Sequence, residues 1–379
     1  MKYFLERYKI TLQVLILSIL TWSAYIIVQL VPIYFFDVNS ESIKNNIIFI
    51  SMAIVMIQVG QTIGIQLAMS ESRMLSFLSA FKLNTSHLAS IIFFHLFVDN
   101  GLAASAILIV LLLIFLFQGL LISRDYSQYI FDNQATKYYL VVLIRNLVWM
   151  FLFVSLLIFF ENIYLSFITS FLFANILSRY LIKPMYKEEN YTNSKNKNTL
   201  LFISFAAICS LAYRNDTNVL RSYIAPIDFE FFHILLTLFS GLVAMLGIVA
   251  VTFFAPKIKS GQFTITQIKR VTMPLFLFNT VAIVTILSIQ LNELLSLIIF
   301  FAASFLTLLL SSFISVYLHT QKPSIWVYTS GLVGIIFLIF ALETFNASHP
   351  LELFLIYLYF VSVLLFSKFV LDARNRKKV

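Results

Sequence analysis

Residues 138–160 read YYLVVLIRNLVWMFLFVSLLIFF, an apolar run long enough to cross a membrane as one helix. Arg145 is its one charged residue, with Asn146 beside it and Trp149 one turn further on. Similar runs recur through a chain of 379 residues with a mean hydropathy of +0.93 and 11% charged residues. The sequence therefore predicts an all-α polytopic membrane protein, whose functional groups lie among the helices.

The apolar runs and their interruptions predict twelve transmembrane helices. Their expected bounds are 10–35, 46–69, 78–98, 101–122, 138–160, 162–183, 199–222, 230–255, 270–290, 294–318, 324–345 and 351–370. A polar stretch at 187–198 separates the first six segments from the last six. We expect an N-terminal six-helix bundle at 1–186, a cytoplasmic linker at 187–198 and a C-terminal six-helix bundle at 199–379, an arrangement that suggests two parallel repeats.

The distribution of basic residues fits this count. With both termini in the cytoplasm, all but four of the 26 Lys and Arg residues lie at cytoplasmic ends or loops. The exceptions are Lys44 and Arg221 at the outer face, and Arg145 and Arg214 within segments five and seven. Merging segments three and four into one long helix would move most later cations outside, against the positive-inside rule. We therefore expect a hairpin that turns at residues 99–101.

Several functional classes find no support in the sequence. A pI near 9.4 does not indicate nucleic acid here, because membrane topology accounts for the Lys and Arg. Cys209 is the single cysteine, so the chain forms no internal disulfide. We find no His/Cys metal spacing, Gly-x-Ser-x-Gly elbow or phosphate-binding glycine loop. His95 and Asp99 are an isolated pair, short of what a membrane acyltransferase needs for proton transfer. We expect a non-enzyme without metal or cofactor.

The second group of embedded charges lies in the run AYRNDTN at residues 212–218. Charge at membrane depth is costly, which makes such residues functional candidates. Helical spacing predicts one cationic, hydrogen-bonding face formed by Arg214, Thr217, Asn218 and Arg221. Asp216 lies off that face, so we expect its partner on another helix. The alternative is that Arg214 extends to the outer interface and Asp216 pairs only for packing.

Segment two carries uncharged polar side chains that suit sugar hydroxyls. They recur about once per turn, with one adjacent: Gln58, Gln61, Thr62 and Gln66. The alternative is hydrogen bonding between helices beside a close contact at Gly60 and Gly64. Further candidates for lining a cavity are Asn175, Asn279 and His95, but for each of them alone we expect a packing role.

One stretch resembles a known family. It runs from Arg214-Asn-Asp216-x-x-x-Leu220, through an outer turn with aromatic residues at 229, 231 and 232, to a long apolar helix ending Ala255-Pro256-Lys257. This is similar to the start of the second half of bacterial polysaccharide flippases, in the multidrug, oligosaccharidyl-lipid and polysaccharide (MOP) exporter superfamily. The Gly-x-Tyr common after the outer turn in that family is replaced here by residues 228–232, DFEFF.

The resemblance implies alternating access around a central cavity between two bundles. The expected substrate is a polyprenyl-pyrophosphate-linked oligosaccharide, an O-antigen or capsule repeat unit, carried from the cytoplasmic to the periplasmic leaflet of the bacterial inner membrane. Expected partners are this lipid-linked oligosaccharide, membrane lipids, a polysaccharide polymerase and chain-length proteins, and no nucleic acid.

Arginine suits the anionic part of such a substrate, because its planar guanidinium gives a pyrophosphate bidentate donors and stays protonated. We expect Arg145, about 10 Å from the cytoplasmic end of its segment, to receive the anion. Arg214, about 22 Å along its segment, and Arg221 would engage it farther out. The alternative for Arg145 is extension to cytoplasmic headgroups.

Two other functions remain open. A MATE-like multidrug cation exporter would favour carboxylates, but Asp216 is the one acid well within a segment, against two embedded arginines. A polysaccharide polymerase would need a substantial outer loop, and the outer connections here are about a dozen residues or fewer. Asp216 is also the candidate for coupling transport to H⁺ or Na⁺.

Overall fold

The computed structural model describes residues 2–36, 40–69, 86, 88–89, 92, 104–126, 135–181, 215–249, 265–288, 302–303, 306–307, 314, 325–344 and 350–375. Regular structure in these ranges is entirely helical. The helices are α1 Lys2–Phe35, α2 Glu41–Met69, α3 Ala104–Tyr126, α4 Ala135–Phe160, α5 Ile163–Leu181, α6 Asp216–Tyr223, α7 Pro226–Val249, α8 Ile265–Ser288, α9 Ile325–Thr344 and α10 Pro350–Asn375.

Three of these helices contain stretches that are long and apolar enough to cross a membrane. The stretches are Ile43–Gln61 in α2, Thr136–Phe160 in α4 and Leu353–Leu371 in α10. The described part of the chain is therefore a helical structure suited to a membrane, as the composition predicts. Most of predicted segments three and ten, the hairpin at 99–101 and the linker at 187–198 lie outside the described residues. The count of twelve and the division at 187–198 stay predictions.

The chain divides into two compact units. The first unit is Met1–Leu211 with Ala225–Thr237, and the second is Ala212–Ile224 with Leu238–Val379. In the first unit α2 packs against α3, while α4 packs against both α1 and α5. In the second unit α9 packs against α10, and the short helix α6 contacts both of them.

Helices α2 and α3 approach each other closely at two glycines. A Cβ on Gly60 would lie 2.1 Å from the backbone oxygen of Leu116, and one on Gly119 would lie 2.2 Å from that of Ile57. Small residues let helices pack this closely in lipid, where the hydrophobic effect does not drive helices to associate. The Ser123 hydroxyl also donates to the backbone oxygen of Gln61 at 2.7 Å. The crossing thereby fixes the position of Gln61, one residue after Gly60.

Aromatic packing holds α4 in the first unit. Trp149 is 1% exposed, and its ring meets those of Phe167 and Phe171 on α5 at centroid distances of 5.3 and 5.1 Å. Tyr25 on α1 packs edge-on against the same ring at 5.6 Å. Edge-to-face pairs of this kind add to the packing of buried rings. They set the rotation of α4 and so the direction of the residues one turn before Trp149.

Candidate functional site

Arg145 is a cation enclosed by the first unit. Its side chain is 1% exposed. Nε and Nη2 donate to Oδ1 of Asn146 at 3.1 and 2.8 Å, and Nη2 also donates to the Tyr25 hydroxyl at 3.2 Å. The guanidinium is thus held inside the unit by α4 and α1 and does not extend to headgroups at the membrane surface.

Gln61 completes this arrangement from α2. With its amide oxygen turned toward Arg145, which is the orientation that the surrounding donors require, it accepts from Nη1 and Nη2 at 3.0 Å each. The predicted polar stripe of segment two therefore reaches Arg145 through Gln61. Gln58 is half-buried, while the side chains of Thr62 and Gln66 lie outside the described part of α2.

Within the described part of the chain, the charge of Arg145 has no counterion. Its hydrogen-bond acceptors, Asn146, Tyr25 and Gln61, are all neutral. Among the described residues, no carboxylate lies within ion-pair distance of it. Two buried donors nearby, Asn146 Nδ2 and Trp149 Nε1, also have no acceptor in the described part of the chain. The cluster of Arg145, Asn146, Trp149, Tyr25 and Gln61 thus carries a positive charge and a surplus of donors, which suits an anion.

The second unit contains a separate polar group on α6. Arg221 is 2% exposed, and its Nη1 donates to Oδ1 of Asn218 at 2.6 Å. Nδ2 of Asn218 in turn donates to Oδ1 of Asn215 at 3.0 Å. Thr217 is also buried. The structure therefore brings Arg221 and Asn218 together and buries Thr217 on the same short helix.

Arg214 lies outside the described residues. The described helix starts at Asp216, with Asn215 as its N-cap residue. The expected relation of Arg214 to Thr217 and Asn218 through helical spacing is thus not described, and its role stays a prediction.

Asp216 bonds to a residue on another helix. Its Oδ2 accepts from the hydroxyl of Tyr357 on α10 at 3.1 Å, and its Oδ1 accepts from the backbone N–H of Thr217 at 2.6 Å. The sequence predicts a partner on another helix for this carboxylate, but it does not single out Tyr357, one of 18 tyrosines.

The far end of α6 bonds to α9. The hydroxyl of Tyr223 donates to Oε1 of Glu343. This hydrogen bond raises the pKa of the Tyr223 phenol, because the bond favours the protonated form. Sequence reasoning missed Glu343, since an acid at the end of an apolar segment is typical of an ordinary interfacial residue. Because Glu343 and Tyr223 are 120 positions apart in the sequence, no spacing pattern indicates that they pair.

Two of the expected packing residues have their polar groups satisfied within the protein. Nδ2 of Asn175 donates to the backbone oxygen of Phe171 at 2.8 Å, one turn earlier on α5. Nδ2 of Asn279 donates to the Thr307 hydroxyl at 2.8 Å. His95, the third, lies outside the described residues. His233, which the sequence did not single out, is fully buried, and its Nε2 lies 3.1 Å from the backbone oxygen of Gln29.

In the ranges that the structure describes, no group of three or more His, Cys, Asp or Glu side chains is placed to hold a metal ion. Neither a scan of protein-family models nor a search of curated proteins gives a match to this chain.

Proposed function

We propose that this chain is a flippase for a polyprenyl-pyrophosphate-linked oligosaccharide, which it carries from the cytoplasmic to the periplasmic leaflet of a bacterial inner membrane for surface polysaccharide synthesis. In this proposal it works by alternating access, with twelve transmembrane helices and both termini in the cytoplasm. The helical fold, the apolar stretches in α2, α4 and α10 and the local resemblance at residues 211–261 support this class.

Arg145 is the observation that carries the proposal. A guanidinium in an apolar bundle is costly unless an opposite charge or strong acceptors compensate it. Here the acceptors on Asn146, Tyr25 and Gln61 are neutral, so the described residues provide hydrogen bonds to Arg145 but no charge that neutralises it. A pyrophosphate group would supply both negative charge and acceptor oxygens for the donors of Asn146 and Trp149. This chemistry matches the anionic part of a lipid-linked sugar.

The same observation separates the proposal from export of cationic drugs. A cation brought beside Arg145 would be repelled in a medium of low dielectric, where charges interact strongly. Export of cations would instead favour a carboxylate in that position, and the described residues place none within ion-pair distance. Polysaccharide polymerisation gains no support from the described residues, because the clusters around Arg145 and Asp216 are buried inside helical units rather than placed on an outer loop.

The test is transport by the purified protein in proteoliposomes. One preparation contains a fluorescent polyprenyl-pyrophosphate-linked oligosaccharide, and its movement is followed by quenching with a membrane-impermeant reductant. A second preparation measures accumulation of ethidium, a lipophilic cation. We expect protein-dependent movement of the lipid-linked sugar and none of ethidium. Ethidium accumulation without movement of the lipid-linked sugar would overturn the proposal in favour of the exporter.

A further inference from the structure

The five residues of the cluster around Arg145 differ in how far they are enclosed. Arg145, Asn146, Trp149 and Tyr25 are buried, each with 3% or less of its surface exposed. Gln61, which reaches the cluster from α2, is the member that is partly exposed. A ligand that approaches the cluster from its exposed side therefore meets the Gln61 amide before it meets the guanidinium.

Gln61 occupies the donors of Arg145 in the way that a phosphate oxygen would. Its amide oxygen accepts from Nη1 and Nη2 at 3.0 Å each, so one oxygen bridges the two outer nitrogens of the guanidinium. Within the described part of the chain Nη1 has no other acceptor, whereas Nη2 also bonds to Asn146 and Tyr25. The same nitrogens belong to the fork with which arginine binds phosphate. An anion that binds to them must therefore replace the Gln61 oxygen.

The backbone of Gln61 is held at the crossing of α2 and α3. Its backbone oxygen accepts from the Ser123 hydroxyl at 2.7 Å, and a Cβ on Gly119 would lie 3.1 Å from its backbone nitrogen. The side chain extends from this fixed point through rotatable bonds, and its exposed side leaves it room to turn. Exchange of the amide for an anion thus requires a rotamer change of one side chain, and α2 need not move.

We propose that Gln61 is an exchangeable internal ligand of Arg145, which leaves the guanidinium when an anion binds and returns when the anion is released. The anion forms the stronger bonds, because both partners are then ionised. It also offers oxygens to Asn146 Nδ2 and Trp149 Nε1, buried donors without an acceptor in the described part of the chain. The returning amide gives Nη1 an acceptor again and so eases release. This inference rests on the proposed function for the identity of the anion as the pyrophosphate of a lipid-linked sugar.

The test measures binding of inorganic pyrophosphate, without Mg²⁺, by the purified full-length protein in a calorimeter. Gln61→Ala and Gln61→Leu both remove the competing oxygen, and leucine also fills most of the space. We expect each variant to bind about tenfold more tightly or better, the factor that a hydrogen bond to a charged group contributes. The initial rate of lipid-linked sugar movement should fall in the same variants, because the anion leaves more slowly. Ser51→Ala, which loses a bond from α2 to Gln29 outside the cluster, is the control with unchanged affinity.

Gln61→Glu should have the opposite effect on affinity. Its carboxylate keeps the acceptor beside Arg145 and adds a negative charge, so pyrophosphate should bind about tenfold more weakly or worse. Lower or unchanged affinity in both Gln61→Ala and Gln61→Leu, or no binding by either, would overturn the inference, and the proposed function would stand if the wild type still moves lipid-linked sugar. A protein that shows the expected affinities but moves no lipid-linked sugar would instead contradict the proposed function while leaving the exchange at Arg145 in place.

Discussion

Nη2 of Arg145 lies 3.2 Å from the hydroxyl of Tyr25, a contact that joins α4 to α1 across 120 positions of the sequence. The same tyrosine ring packs on Trp149, one turn after Arg145. Tyr25 therefore provides both an acceptor for the guanidinium and part of the aromatic packing that orients α4. The two contributions can be separated by substitution.

Tyr25→Phe should keep the aromatic packing and lose the acceptor. Hydrogen bonds to charged groups contribute about 1.5–3 kcal/mol, so we expect a loss of that order in the free energy of unfolding. Because Asn146 and Gln61 still accept from Arg145, transport should fall less than in Arg145→Ala. The measurements are denaturant unfolding in detergent micelles and the proteoliposome flux. Tyr139→Phe, a partly buried neighbour on α4, is the matched control and should change stability less.

Gly60→Ala tests the crossing of α2 and α3. Its Cβ would meet the backbone oxygen of Leu116, which cannot rotate away, so the helices must separate. We expect the free energy of unfolding to fall by about 1–3 kcal/mol, as at other overpacked sites. The flux of lipid-linked oligosaccharide should also fall, because Gln61 moves with the helix. In Gly334→Ala the new methyl group would meet side-chain atoms instead, so the free energy of unfolding should fall less than in Gly60→Ala. If Gly60→Ala lowers the free energy of unfolding no more than Gly334→Ala does, the contact at Gly60 is not a rigid backbone contact.

The helical segments follow from the sequence because each apolar run carries its own signal of length and hydropathy. Segment 138–160 agrees with α4, and segment 324–345 agrees with α9, within a few residues. Segment seven is described only from Asn215 onward, where a helix runs from Asp216 to Tyr223, so its expected extent of 199–222 stays a prediction.

The sequence predicts the residues of the candidate site one by one and does not predict which of them touch. Arg145 and Asp216 could be selected from the sequence because charge is rare in apolar segments. Their neighbours could not, because contact between helices depends on register and rotation. The sequence predicts Gln61 as part of a sugar-binding stripe, whereas its position beside Arg145 depends on the crossing of α2 and α3 at Gly60. Tyr25 and Tyr357 carry no signal of their own, since membrane helices commonly contain tyrosine.

The Asn279–Thr307 pair tests whether a buried polar pair serves only the stability of the protein or also transport. Both are fully buried and bond to each other at 2.8 Å. Thr307→Val should destabilise the protein by about 1–3 kcal/mol, because it leaves a buried amide without this partner. The double variant with Asn279→Leu should recover part of that loss, which a double-mutant cycle would measure. Flux per folded molecule should match the wild type throughout. A fall in flux at wild-type stability would instead place Asn279 in the transport pathway.

Single-cysteine labelling tests the predicted topology. In a Cys209→Ser background, we expect Ser40→Cys to react with a membrane-impermeant maleimide added outside intact cells or spheroplasts. Ser194→Cys, in the predicted cytoplasmic linker, should react only after permeabilisation. The cysteine-free protein is the control for unspecific labelling. Reaction of Ser194→Cys in intact cells would invert the orientation of the second half and contradict the positive-inside argument.

The central claim is that Arg145, whose charge no described carboxylate compensates, binds the anionic part of the substrate. The initial rate of lipid-linked oligosaccharide movement in proteoliposomes tests this claim most directly. Truncating one partner of a buried charge pair costs about 2–5 kcal/mol, so Arg145→Ala should slow movement about 30-fold or more. Arg145→Lys should retain part of the rate, because it keeps the charge but not the planar donors. Lys44→Ala removes a buried cation that pairs with Glu41 at 3.3 Å, and should have little effect. A wild-type rate in folded Arg145→Ala would contradict the account.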